Sequence, residues 1–330
     1  MQRFVYSFLF VLLVLHGPLQ AFSSGDSSSQ DSPSTSNKSK PTKRGTHWYR
    51  YPNKDTAAEQ EAFAYDLYRA GKLRKAANAY QALVYAWPDS PKAAPAQLAL
   101  AKIQQKRGKY EASFDEYQYL IENYPGQFVY MEILEFQFQI ASYLMNAKTG
   151  AFLFLPGFVA PERATPMFET IIRNAPSWEK APLAQFNIGK IYEMTGSEEE
   201  AIAAFETLQN RYPSSPLVGQ AAFRESSCLY LLSTHRKNDE NALNAARAAL
   251  VDFIKAFPSS PDVATAEAYL QTLNTRRATM AFERAQFYDT TKKRPEAALI
   301  AYQDFVRNFP SSELVEKANQ HIEELRKTTK

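Results

Sequence analysis

A single cysteine, Cys228, stands in 330 residues, so no disulfide within the chain braces it. Glycine is scarce, at 11 residues, and β-branched runs are short, which argues against a sheet. No charge of one sign dominates. The formal net charge is +3 with both signs interspersed, which excludes the basic footprint of a nucleic-acid-binding protein. The four histidines, His16, His47, His235 and His321, are scattered. There is no glycine-rich phosphate loop, no nucleophile elbow and no Cys/His metal spacing. The acidic run Glu198-Glu199-Glu200 falls at an expected helix start, where the helix dipole favours carboxylates, and needs no catalytic reading. The expectation is a non-enzymatic protein without cofactor or metal, acting by binding.

Long apolar runs are also missing, apart from one. After Arg3 comes FVYSFLFVLLVL, then His16, Gly17, Pro18 and Ala21. A positive start, a dozen apolar residues and a small residue near the end predict a secretory signal peptide over 1–22. The run is short for a membrane span. Bulky Leu19, three before a cut after Ala21, keeps an uncleaved anchor as the alternative. Residues 23–55 are predicted to be a disordered Ser/Lys-rich linker, because such a composition buries too little apolar area to fold. Its charges Lys38, Lys40, Lys43 and Arg44 fit a solvated tether or a touch on an anionic surface. A lone cysteine suits export to an oxidising compartment. Cys228 lies far from the signal, so no cysteine there is available for lipid attachment. Cys228 itself reads as a small core residue.

What is present in quantity is apolar and aromatic, 45% and 13% of the residues, and it recurs in register. Six prolines, Pro88, Pro125, Pro176, Pro213, Pro258 and Pro310, each follow an amphipathic segment. Five residues before them stand Leu83, Leu120, Ile171, Leu208, Phe253 and Phe305. Eight before stand Tyr80, Tyr117, Phe168, Phe205, Leu250 and Tyr302. Twelve before stand Ala76, Ser113, Ala164, Ala201, Ala246 and Ala298. The small residue lets a neighbouring helix approach, and the larger two fill the groove. This predicts an all-α, right-handed superhelical solenoid of helix pairs over 56–330, about six repeats and a capping helix. Pro88 to Pro125 and Pro176 to Pro213 are each 37 residues apart, and Gly71, Gly108 and Gly196 precede their prolines by 17. That glycine belongs in the turn within a pair. The repeat with Gly189, Tyr192, Gly196, Ala201, Phe205 and Pro213 resembles the tetratricopeptide signature.

Between repeats runs a stop-and-start cassette, as in Tyr212-Pro213-Ser214-Ser215-Pro216-Leu217. The aromatic-Pro ends one helix, serine caps the next, and proline takes its first position. Helices are predicted near 56–70, 72–87, 91–107, 109–124, 128–147, 161–175 and 180–195. More follow near 197–212, 216–235, 239–257, 261–290, 294–309 and 313–327. The spacing widens to 51 residues before Pro176, 45 before Pro258 and 52 before Pro310. The first excess holds the apolar loop from Phe152 to Val159, with Phe152, Phe154 and Phe158. It either plugs the superhelix or presents an apolar patch to a partner or bilayer. The last excess implies one long helix, Asp262 to Tyr288.

The first helices of the pairs are expected to line the concave face. Candidate partner-binding residues there are Tyr65, Tyr68 and Arg69, then Lys102, Gln105 and Lys106, then Lys190 and Glu193. On the carboxy-terminal repeats the candidates are Arg277, Arg284 and Tyr288. The stretch from Ala245 to Leu325 carries Phe257-Pro258-Ser259-Ser260, a long helix reaching Gln286-Phe287-Tyr288, and Phe309-Pro310-Ser311-Ser312. It resembles the BamD family, the tetratricopeptide subunit of the outer-membrane β-barrel assembly machine. The resemblance implies a periplasmic scaffold, peripheral to the outer membrane, that binds β-barrel assembly components and unfolded barrel chains. Members of that family end their signal in a lipidated cysteine, which this chain lacks. A periplasmic adaptor of the CpoB kind, in cell-wall synthesis or trafficking, is the alternative. Such adaptors place a heptad segment before their repeats, and none is seen here.

Overall fold

The computed structural model describes residues 51–149 and 158–328. The predicted signal peptide, most of the linker, and Phe152 and Phe154 lie outside the described residues; Phe158 is described by its backbone alone. The described residues form an all-α, right-handed solenoid of six antiparallel helix pairs and a final single helix. The first pair is α1 (Ala57–Arg69) and α2 (Leu73–Ala86), the second α3 (Ala93–Lys106) and α4 (Tyr110–Asn123). Then come α5 (Tyr130–Asn146) with α6 (Thr165–Asn174), and α7 (Ala181–Thr195) with α8 (Glu198–Arg211). Next are α9 (Val218–His235) with α10 (Glu240–Ala256), and α11 (Val263–Gln286) with α12 (Pro295–Asn308). Helix α13 (Val315–Thr328) closes the stack, its outward residues polar, as a solvated terminal surface requires. Two two-residue strands, β1 (Lys148–Thr149) and β2 (Phe158–Val159), pair antiparallel between α5 and α6.

The recurrent columns are the core. All six residues of the small-residue column, Ala76 to Ala298, have no exposed surface. The aromatic column and the aliphatic column are buried throughout as well. Each helix packs chiefly on its neighbours in sequence, so a side chain with no exposure is enclosed by the adjoining helices. Ala201→Leu therefore forces a larger side chain into a filled space and is expected to cost about 1–3 kcal/mol. An unchanged melting temperature would contradict this packing.

Turns obey local chemistry, with one difference from the sequence reading. Gly71, Gly108 and Gly196 have φ of +72°, +72° and +70°, the left-handed turn conformation that glycine adopts freely. The residue before each of the six prolines, aromatic in all but Ala175, leaves the helical conformation, because proline disfavours it in its predecessor. The serines, however, do not cap the helices. Ser90, Ser215, Ser260 and Ser312 Oγ accept from the N–H two residues on (Lys92, Leu217, Asp262 and Leu314) at 3.2–3.3 Å. This forms a turn, and each helix starts one residue later than the bonded N–H, at Ala93, Val218, Val263 and Val315. The prolines thus sit in the turn rather than at the first helical position.

The apolar interior is divided into clusters. The largest runs from Ala64 on α1 to Ala204 on α8, and the α8–α9 contact forms another with Phe205 and Cys228. Long α11 serves two. Its Ala266 and Leu273 pack with Leu243, Leu250 and Phe253 of α10, while its Ala278, Phe282 and Ala285 pack with α12 and α13. The widened spacing before Pro310 is this extra length plus a π-helical turn, Phe287–Thr291.

Candidate protein-binding surface

The first helices of successive pairs are stitched to one another by cations. Lys106 on α3 lies 5.2 Å over the Tyr68 ring of α1, and Lys102 lies 5.0 Å over Phe136 of α5. Lys180, just before α7, lies 5.5 Å over Phe138 of α5, and Arg224 of α9 lies 5.6 Å over Phe186 of α7. Between α9 and α11 two tyrosines replace the motif, Tyr230 stacking on Tyr269 at 4.2 Å. Lys317 of α13 lies 5.9 Å over Phe282. Most of these cations also find carboxylates on a neighbouring first helix. The pairs are Lys102–Glu132 at 3.5 Å, Lys180–Glu135 at 2.6 Å and Arg224–Glu193 at 2.6 Å. The Lys180 ammonium holds the Glu135 carboxyl below the usual carboxylate range.

The signal for this ladder is present in the sequence, at fixed offsets from the prolines. Lys92 and Lys180 stand 33 residues before their prolines, and Arg224 and Arg276 stand 34 before theirs. Lys92 bonds Glu61 at 2.7 Å, and Arg276 donates to the carbonyls of Ser233 and Lys237. A second unnoticed column is Gln60, Gln97 and Gln185, each 28 residues before its proline and each buried. Their Nε2 atoms donate across the pair to the carbonyls of Ala79, Glu116 and Ala204 at 2.8–3.0 Å, always 19 residues on. A buried amide is tolerated when it is paired, and here it fixes the register of the two helices.

The candidate residues are therefore unequal. Tyr65 and Arg69 are exposed, and Lys190 is half-buried. Tyr68, Lys102 and Lys106 belong to the ladder, and Gln105 Oε1 accepts from the Tyr117 hydroxyl at 3.4 Å. Glu193 is occupied by Arg224 and lies 3.8 Å from the Cys228 thiol. Burial, aided by Glu193, pushes that thiol up to about 12, as suits a core cysteine. Arg284 pairs with Glu240, and Tyr288 is half-buried against the terminal cluster.

Arg277 is different. It is exposed, its guanidinium lies 5.3 Å over the Phe309 ring, and it has no carboxylate partner among the described residues. Helices α10 and α12 flank the middle of α11, leaving a cleft on each side of Arg277. One, of about 340 Å³, is lined by Asn244, Met280, Ala301 and Asp304 among others. The other, of about 890 Å³, includes Arg247, Glu267, Gln271 and Leu314. Arg247 donates through Nε to Asn274 Oδ1 at 2.7 Å. Burial and the neighbouring Arg277 charge hold its guanidinium below the usual range. Two guanidinium groups facing one cleft form a ready seat for a carboxylate. Arg247 was not among the sequence candidates.

Helix pairs of this length, with small, aromatic and aliphatic columns closed by an aromatic-Pro turn, define the protein as a tetratricopeptide-type solenoid. Residues 61–128 match a tetratricopeptide repeat model. Residues 178–329 match the family model described as YfiO, outer membrane lipoprotein, to which the carboxy-terminal half is thus similar. Both matches point to a protein-interaction scaffold. No curated protein matches the chain. Among solved structures, the C-terminal part of a TPR repeat-containing protein from Cytophaga hutchinsonii is 15% identical, with a TM-score of 0.33, covering 81% of this chain and 88% of that one. YrrB, described as a TPR protein with an unusual peptide-binding site, is 18% identical, with a TM-score of 0.31, covering 66% and 94%. The apo form of RapI is 14% identical, with a TM-score of 0.34, covering 83% and 77%. Among the described residues no helix is long and apolar enough to cross a membrane.

Proposed function

We propose that this protein is a non-enzymatic scaffold of the cell envelope that supports the assembly of outer-membrane β-barrel proteins. It does so by docking a component of the assembly machinery on its carboxy-terminal repeats. The observation that carries this reading is the coincidence of the YfiO-type match, residues 178–329, with the Arg247–Arg277 cleft. An acidic side chain of the partner enters between the two guanidiniums, where it relieves their mutual repulsion and makes charge-assisted hydrogen bonds. The Phe309 ring beneath Arg277 holds that guanidinium in place. The protein is periplasmic and peripheral to the outer membrane in this reading.

Truncation after Pro258 is a poor test, because it strips Ala266 and Leu273 from the core of α10. Charge reversal in the full chain is cleaner. Arg247→Glu with Arg277→Glu is expected to leave the helical content intact and abolish co-purification with the barrel-assembly complex. Undiminished co-purification of the double variant would rule out the cleft as the docking site. If the unaltered protein never co-purifies with that complex, the envelope-adaptor alternative replaces the assembly role.

A further inference from the structure

The extra length of α11 sets α10 and α12 out of step. Helix α10 packs on Ala266 and Leu273 in the first half of α11, whereas α12 packs on Ala278, Phe282 and Ala285 in the second. The step between them uncovers one face of α11, and the smaller cleft beside Arg277, of about 340 Å³, lies there. Its floor is apolar. Leu243 and Phe305 are buried in it, and Met280, Ala281 and Ala301 are half-buried. None of these side chains is a strong hydrogen-bonding group. The two alanines, one on α11 and one on α12, leave a space that longer side chains would fill. The rim carries the carboxylates of Glu240 and Asp304, and each already has its cation: Arg284 pairs with Glu240, and Arg307 with Asp304. Of the charged residues lining the cleft, Arg277 is the one without a carboxylate partner among the described residues.

We propose that this cleft is an anchor pocket, taking one large apolar side chain of the docking partner, an aromatic ring by preference, while a carboxylate of the same segment pairs with Arg277. The inference rests on the reading of the Arg247–Arg277 cleft as a docking site, and it adds what the partner's segment must carry. Both clefts are bounded by Arg277, Asn308 and Phe309, so the pocket continues the surface that receives the acidic side chain. Protein interfaces draw most of their energy from a few such anchors, aromatic residues foremost, seated in pockets and ringed by polar groups. Met280 suits a ring, because its thioether is polarizable and its chain adapts to irregular shapes. A ring seated here meets apolar side chains and loses no hydrogen bond. A polar side chain would leave water and find no partner on the floor. With the rim carboxylates already paired, an acidic neighbour of that ring meets Arg277 with little repulsion.

The test uses the full chain and a small probe, 3-phenylpropionate, which joins a ring to a carboxylate; binding is followed by ligand-observed NMR. Propionate, which lacks the ring, and 3-phenylpropanol, which lacks the charge, are the comparisons. The probe is expected to bind at least about tenfold more tightly than propionate, the gain typical of burying an apolar side chain. It is also expected to bind several-fold more tightly than 3-phenylpropanol, and Arg277→Gln to erase that second difference. Ala301→Phe fills the pocket from α12 and Ala281→Phe fills it from α11, and each is expected to abolish the advantage over propionate. Gln303→Phe, at an exposed site of α12 outside the pocket, is expected to leave it unchanged. Both filled variants are expected to melt close to the parent, because the pocket is open; should one melt well below it, the other decides. The filled variants are also expected to lose co-purification with the barrel-assembly complex, and Gln303→Phe to keep it. Equal affinity for the probe and propionate, a ring advantage that survives both fillings, or co-purification that survives both would each overturn the proposal. So would a dimer of the parent that the fillings abolish, which would make a second copy the occupant. If the parent never co-purifies with the complex but keeps the ring advantage, the assembly role falls and the pocket stands.

Discussion

Gly189→Ala is expected to destabilise the protein by about 1–3 kcal/mol, although the same change in an open helix stabilises by roughly 0.5–1 kcal/mol. Gly189 is a buried residue of α7. A Cβ built on it would lie 2.5 Å from Cε1 and 2.7 Å from Cζ of Phe205, closer than real contacts allow. The ring has no free direction in which to retreat, because Phe205 has no exposed surface and packs on Phe186 at 5.6 Å. The corresponding positions of the first two pairs carry Ala64 and Ala101, fully buried. The glycine is therefore a local fit to one ring and not a requirement of the repeat. Thermal or denaturant unfolding checks the sign. Phe205→Ala alone is expected to cost about 3–5 kcal/mol. The double variant is expected to fall short of the sum by about 0.5–3 kcal/mol, since the vacated space receives the new methyl. Strict additivity would show that the methyl and the ring do not meet.

Phe282→Ala is expected to cost about 3–5 kcal/mol, with the loss confined to one end of the molecule. The Phe282 ring meets Tyr302 at 5.5 Å, Phe305 at 5.6 Å and the His321 ring at 6.3 Å, beneath Lys317. It joins all three helices of the terminal cluster, and α11 ties that cluster to the one it forms with α10. Stacked repeats exchange stability only with their neighbours. Hydrogen exchange should therefore quicken in α12 and α13 while α1 to α8 stay protected. A uniform rise along the chain would show instead that the solenoid unfolds as one unit.

The architecture was legible because its strongest signals are local. A small residue, an aromatic and an aliphatic at fixed distances before a proline specify a helix face and its end. All thirteen helices lie within a few residues of their predicted limits. The serine turns were misplaced because a hydroxyl two residues before a helix and one at its cap give the same short motif. The binding surface was less legible. Lys102 and Glu193 look free in a sequence, and only the stacking of first helices reveals that Glu132 and Arg224 occupy them. Arg247 is separated from Arg277 by 30 residues, and no short-range pattern joins them. The contact of Gly189 with Phe205 is likewise a matter of geometry between helices, invisible to periodicity.

The glutamine rungs also set a length standard. The repeats closed by Pro88, Pro125 and Pro213 have a rung. Those closed by Pro176, Pro258 and Pro310, where the spacing stretches to 51, 45 and 52 residues, have no glutamine bonded in this way: 28 residues back stand Lys148, Tyr230 and Phe282, and the buried Gln137 of α5 donates to the Gln118 side chain instead. A side-chain amide that must reach a carbonyl 19 residues later tolerates no insertion between them. Where the rung is missing, the chain has been free to lengthen, and its irregular features, the α5–α6 connection and long α11, fall in such repeats. The places where this solenoid has acquired novelty are thus those where its internal ruler was given up.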